Sequence, residues 1–142
     1  MLELARVSSR DTVYDLGSGD GRVVIAAARD FGARAIGIEN DPARVDDAEE
    51  RAREAGVARR VSFLRQDLFE ADVSAASVVT LFLLEEANLL LRPRLRRTLA
   101  PGTRIVSYLH DMGDWKPAKA KYTVDRVGWY HRIYLWEIPA PQ

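Results

Sequence analysis

Two hydrophobic periods alternate along the chain. Short apolar runs at residues 13–16, 35–38, 61–64, 78–84 and 104–109 have the length of strands. Segments with helical spacing lie between them. Val24, Ala27, Ala28 and Phe31 recur at i, i+3, i+4 and i+7, with Gly32 as the stop. Asp41-Pro42 has the chemistry of a helix start, Val45, Ala48, Ala52 and Ala55 form that helix's apolar face, and Gly56 ends it. Residues 89–99 are predicted mostly helical, with Pro93 restarting the helix. Two strand-like runs close the chain, 121–127 and 130–138, separated by Gly128-Trp129, which predicts an antiparallel hairpin. The whole pattern predicts an α/β fold. It is a Rossmann-like three-layer sandwich around a mostly parallel seven-stranded sheet, with the C-terminal hairpin at one side.

Composition narrows the picture. At 142 residues, without internal repeats or a linker, the chain reads as one domain, 1–142. Lys+Arg and Asp+Glu are both 21, so the basic excess of a general nucleic-acid binder is missing. No cysteine is present, which excludes thiolate metal sites and disulfides, and no other metal-ligand cluster is visible. Residues 1–6 lack a signal-peptide pattern, and the apolar run at 78–84 is too short to span a bilayer. These features set the expectation of a cytoplasmic protein without a membrane anchor. They leave the oligomeric state open.

The chemistry concentrates where the first strand ends, in Asp15-Leu16-Gly17-Ser18-Gly19-Asp20-Gly21-Arg22. Ligands of open parallel sheets bind beyond the strands' carboxyl ends, and glycines let the backbone turn and a ligand approach. The spacing G-x-G-x-G differs from the dinucleotide fingerprint. Asp15 and Asp20 make the loop acidic, repelling a pyrophosphate and attracting a sulfonium and an ammonium. S-adenosylmethionine (SAM) therefore suits it better than NAD. Glu39, twenty-two residues after Gly17 and followed by Asn40, ends the second strand, where an acid can accept ribose hydroxyls. Asp67-Leu68-Phe69 follows the third strand, positioned for adenine. Thr80 and Phe82 close the fourth, where a transferred group meets its acceptor. His110, Asp111 and Trp115 follow the fifth. Asp111 is a candidate proton acceptor, and Trp115 is either a lid over an acceptor pocket or packing for the sheet edge. His131 reads as structural.

Residues 13–22 resemble the first motif of the seven-strand SAM-dependent methyltransferases, and Gly37-Ile38-Glu39 resembles their second. Residues 15–22, Val79-Thr80-Leu81-Phe82-Leu83 and Gly102-Thr103-Arg104-Ile105-Val106-Ser107 are similar to small protein-lysine methyltransferases. Those include archaeal broad-specificity enzymes and the family acting on adenine-nucleotide translocase and the ATP synthase c-subunit. The resemblance implies that Asp15, Gly17, Ser18, Gly19, Asp20 and Gly21 hold the methionine part of SAM. Glu39 and Asn40 would hold the ribose, and Asp67, Leu68 and Phe69 the adenine. Thr80, Phe82, Asp111 and Trp115 would border a channel for the lysine of a protein substrate. Relatives usually carry extra residues before the first strand that help cover the cofactor, whereas twelve precede Val13 here. A small-molecule methyltransferase, a non-catalytic SAM-binding module and an NAD-dependent oxidoreductase are the competing readings.

Overall fold

The computed structural model describes residues 1–141. Apolar alternation builds β1 (Thr12–Leu16), β2 (Arg34–Glu39), β3 (Val61–Arg65), β4 (Val78–Leu81) and β5 (Arg104–Tyr108). The C-terminal hairpin is β6 (Lys119–Val124) and β7 (Tyr130–Glu137). Between strands lie α1 (Arg22–Phe31), α2 (Pro42–Glu54) and α3 (Glu85–Thr98). The seven strands form one sheet in the order β3-β2-β1-β4-β5-β7-β6. Its first five are parallel, and β7 pairs antiparallel with both β5 and β6.

The two sheet faces bury different side chains. Val13, Ala35, Val78, Val106 and Leu135 pack with Val24 and Ala27 of α1 and with Leu2, Ala5 and Val7 of the N-terminal segment. Leu16, Ile38, Val79, Leu81, Ile105 and Trp136 face the other way, onto Leu91 and Leu95 of α3. Residues Ala71, Val73 and Ala76, in the irregular stretch between β3 and β4, complete that second layer. α2 starts as its sequence predicts: Asp41 accepts the Ala43 N–H at 2.9 Å and Pro42 occupies the first turn.

Three boundaries differ from the sequence reading. β4 stops at Leu81 rather than at residue 84: β1 ends opposite it at Leu16, and the pairing with β5 ends at Ser107. Phe82 therefore leaves the sheet and stands exposed. α3 begins at Glu85 and runs through Pro93 without restarting. The missing N–H costs one helical bond, and burial of Leu91 and Leu95 on either side holds the axis together. Glu85 and Glu86 in its first turn, with Arg96 and Arg97 in its last, complement the helix dipole. β6 begins two residues early, at Lys119, and ends at Val124, where Asp125 opens the turn.

Gly37 in β2 has a packing task. A Cβ there would lie 2.6 Å from Ser18 Oγ and 2.8 Å from the Phe63 ring, so its absence lets the Ser18 side chain tuck against the strand. Gly37→Ala is expected to destabilise the fold by about 1–3 kcal/mol through overpacking. Urea denaturation tests this, and an unchanged midpoint would show that the Ser18 side chain relocates freely.

Candidate active site

Beyond β1 the chain folds across the end of β2. The N–H groups of Gly17 and Ser18 both donate to the Ile38 carbonyl, at 2.8 and 3.0 Å. Gly17, Gly19 and Gly21 have φ of +79°, +57° and +83°, the left-handed region that explains glycine at alternate positions. At Gly21 a Cβ would also strike Ala48 and the Phe63 ring at 2.9 Å, so this glycine lets α1 start against α2 and β3. Glu39 ties the bend from the neighbouring strand. Its Oε1 accepts the Gly19 N–H at 2.8 Å and its Oε2 accepts the Asp41 N–H at 3.0 Å.

Asp15 lies beneath this bend and is 3% exposed. Parallel pairing of β1 with β4 sets Asp15 beside Thr80, whose hydroxyl donates to Asp15 Oδ1 at 2.7 Å. Burial pushes the Asp15 carboxyl up to about 6; the Thr80 bond pulls it down, and the Glu39 charge pushes it further up. Asp20 behaves oppositely. Burial raises it, but hydrogen bonds from the backbone and guanidinium of Arg22 outweigh that and hold it below the ordinary value. Ser18 Oγ is buried without a hydrogen-bond partner.

These groups surround a crevice of about 680 Å³ lined by Asp15, Gly17, Ser18, Gly19, Asp20, Arg22, Val23, Arg44, Asp47 and Phe82. The volume falls within the range of about 300–1,000 Å³ usual for small-molecule sites. Its two cations are already paired, Arg22 with Asp20 at 3.1 Å and Arg44 with Asp41 at 3.9 Å. Of the three carboxylates on the wall, Asp20 is paired with Arg22 and Asp47 with Arg51, which leaves the buried Asp15 without a cationic partner. The description of the ANTKMT methyltransferase domain matches residues 15–119, a span that contains this whole crevice.

The chain belongs to the ANTKMT methyltransferase domain family. A protein-lysine N-methyltransferase of Saccharolobus islandicus (strain REY15A) is 43% identical over 139 residues, covering 97% of this chain and 86% of its own length. The adenine nucleotide translocase lysine N-methyltransferase of Mus musculus is 36% identical over 123 residues, and this chain spans only 53% of it. A crystal structure described as an RNA methyltransferase from Salinibacter ruber in complex with S-adenosyl-L-homocysteine superposes with a TM-score of 0.91. It is 53% identical to this chain, covering 99% of it and 89% of its own chain. The ANTKMT-family chain is accordingly a SAM-dependent methyltransferase.

The crevice fits that cofactor. The orphaned Ser18 Oγ offers a hydrogen bond that the protein itself leaves unmade, and the buried Asp15 carboxylate is complementary to a cation. Of the other residues named from sequence, Leu68 reaches the bend: a Cβ on Gly17 would lie 3.6 Å from it. Asp67 and Phe69 are exposed beside it, with Asp67 Oδ1 accepting the Phe69 N–H at 2.9 Å. Asn40 is exposed at the end of β2 and does not line the crevice. Thr80 is fully buried beneath Asp15, so it holds that carboxylate instead of lining the opening.

The structure does not bring Asp111 or Trp115 to the crevice wall. Asp111 Oδ1 caps its own turn through the Gly113 N–H at 3.0 Å. Trp115 packs against Trp136 with ring centroids 6.0 Å apart, and Arg96 covers it at 4.8 Å. Of its two sequence readings, packing at the sheet edge is the one the contacts match. Sequence reasoning missed Arg44 and Asp47, which reach the crevice from α2 and carry no motif that marks them.

The raised Asp15 value carries a pH dependence. Between its ordinary value of 3.8 and about 6, the folded chain holds a proton that the unfolded chain has released. Stability of the ligand-free protein is thus fullest below pH 4 as far as this group is concerned. It falls by about 3 kcal/mol as pH rises towards 6 and beyond. Asp15→Asn is expected to remove this component, making the variant's stability relative to wild type increase across that interval. Denaturant unfolding of both proteins from pH 4 to 7 measures it, and parallel curves would contradict the assignment.

Proposed function

We propose that this ANTKMT-family enzyme transfers methyl groups from SAM to lysine side chains of proteins. The observation that carries the reading is Phe82, 62% exposed, standing on the wall of a crevice whose floor is the buried Asp15. An apolar aromatic mouth favours the neutral form of an approaching amine, since desolvation disfavours the ammonium. The archaeal protein-lysine N-methyltransferase and the mouse adenine nucleotide translocase lysine N-methyltransferase that this chain resembles support the same acceptor.

Bound SAM supplies the activated methyl group. The chain's residues then have separate tasks. Asp15, with the glycine bend and Ser18, holds the cationic methionine end. Each oxygen of Glu39 keeps a second lone pair for a ribose hydroxyl while its first holds the loop. Leu68 borders the adenine, with Asp67 and Phe69 beside it. Thr80 orients Asp15, and Phe82 orients the amine and excludes water. Alignment of this kind contributes about 7–11 kcal/mol to such displacements. The cysteine-free composition supports a reducing, cytoplasmic setting. No helix among the described residues is long and apolar enough to cross a membrane.

The Salinibacter ruber structure gives RNA as the second reading. The charge pattern favours protein: among the described residues, the two cations lining the crevice, Arg22 and Arg44, each have a carboxylate partner, which weakens what they offer a phosphate. Incubation with methyl-labelled SAM and a cell lysate decides the matter. Label recovered as methyllysine after acid hydrolysis is the expected result, and label confined to protease-resistant, ribonuclease-sensitive material would overturn the proposal.

Two variants separate the roles. Glu39→Ala is expected to weaken SAM binding by about tenfold or more, read by calorimetry. Phe82→Ala should lower the rate of methyl transfer by about tenfold while SAM affinity changes less than about threefold. Equal losses of rate and affinity in the second variant would remove Phe82 from the acceptor side.

A further inference from the structure

One aromatic side chain at the sheet's carboxyl edge is fixed from three directions and has no part in the roles assigned above. Tyr108, the last residue of β5, meets Phe82 edge to face, with ring centroids 4.7 Å apart and planes at 76°. On its other side it lies against the His131 ring, 5.4 Å away and tilted by 30°. His131 is itself held: its Nε2 lies 2.6 Å from Asp125 Oδ2. Asp125 Oδ1 in turn accepts the Val127 and Trp129 N–H groups at 3.0 and 2.9 Å, fixing the hairpin turn.

The backbone behind Tyr108 is fixed as tightly. Leu109 has φ +75°, a left-handed conformation that a leucine adopts only under constraint. Two sets of bonds impose it. The Leu109 N–H donates to the Arg132 carbonyl at 2.7 Å. The fully buried Asn88 of α3 donates through Nδ2 to Ser107 Oγ at 3.0 Å and to the His110 and Asp111 carbonyls at 3.2 Å. A strained turn held in this way, next to an open crevice, marks a position where orientation matters more than local stability.

We infer that Tyr108 is an acceptor-positioning residue, its ring forming with Phe82 a two-sided aromatic corner that guides the alkyl amine of the substrate into the crevice, and that the His131–Asp125 pair sets its orientation. Two rings at near right angles suit an aliphatic chain ending in an amine, whose methylenes pack on the rings while water is excluded from the nitrogen. The inference rests on the lysine reading proposed above.

The test is steady-state kinetics on the full chain with calf histones as a lysine-rich acceptor probe, alongside calorimetric SAM affinity. Tyr108→Ala is expected to raise the KM for histone by about tenfold and to leave SAM affinity within about twofold. Tyr108→Phe, which keeps the ring, should restore KM to within about twofold of wild type. His131→Ala should raise KM in the same direction by a smaller factor. Tyr108→Leu serves as the bulk-preserving control: if Tyr108→Ala loses SAM affinity as well, Tyr108→Leu must reproduce the KM increase with affinity intact. Wild-type histone kinetics unchanged in both Tyr108→Ala and Tyr108→Leu would overturn this inference and leave the lysine reading standing. A wild-type enzyme that labels no lysine in any protein would overturn both.

Discussion

A carboxylate deprived of water at the end of the central strand is the constraint to which the rest of the site is fitted. Asp15 gives up its hydration and receives a single side-chain hydrogen bond in return, from Thr80. The neighbouring Glu39 charge makes its position worse. In a ligand-free protein this arrangement is a liability, because burial of an ion without a counterion is costly. It becomes favourable only when a positive charge enters the crevice. The destabilisation is therefore stored specifically against a cation, which is what a sulfonium beside an ammonium presents.

The sheet order explains how so small a chain surrounds that point. β1 lies between β2 and β4; the chain leaves β1 through α1 towards β2 and β3, then crosses back to β4 on the other side of β1, so a crevice opens beyond the carboxyl ends where the strand order reverses. β2 brings Glu39 from one flank, and β4 brings Thr80 and Phe82 from the other. Because β4 ends in register with β1 at the Leu16–Leu81 pair, the next residue must leave the sheet, and that residue is Phe82. Its exposure follows from strand length. The antiparallel return of β7 then carries His131 back to the same edge, beside Tyr108.

What the sequence disclosed was local, and what it concealed was brought together by pairing. Three glycines at alternate positions announce a bend because no other residue takes their positive φ cheaply, so the bend was readable. Asp41-Pro42 announced α2 for a similar reason. Thr80 was visible as a strand end, but its bond to Asp15 depends on the β1–β4 register across 65 residues. Tyr108, His131 and Asp125 meet only through the β5–β7 pairing and the hairpin turn, and none carries a motif. Pro93 misled because its helix-breaking tendency was weighed without the burial of Leu91 and Leu95, which tertiary packing supplies. Trp115 was ambiguous for the same reason: its partner Trp136 lies 21 residues away, on β7.

The two sides of the crevice select by different physics. On the proposed cofactor side, the groups on offer are electrostatic and hydrogen-bonding: Asp15, Ser18, Glu39 and the backbone of the bend. On the proposed acceptor side, Arg22 and Arg44 are paired with Asp20 and Asp41, and the apolar groups that would meet a substrate are the rings of Phe82 and Tyr108. Rings recognise an alkyl amine by its shape and its loss of water, with little dependence on the residues flanking it in a polypeptide. Charged groups would impose a sequence preference through attraction and through repulsion of the wrong partner. Under the proposed acceptor, an aromatic mouth would place selectivity in the accessibility of the lysine side chain more than in the residues that flank it.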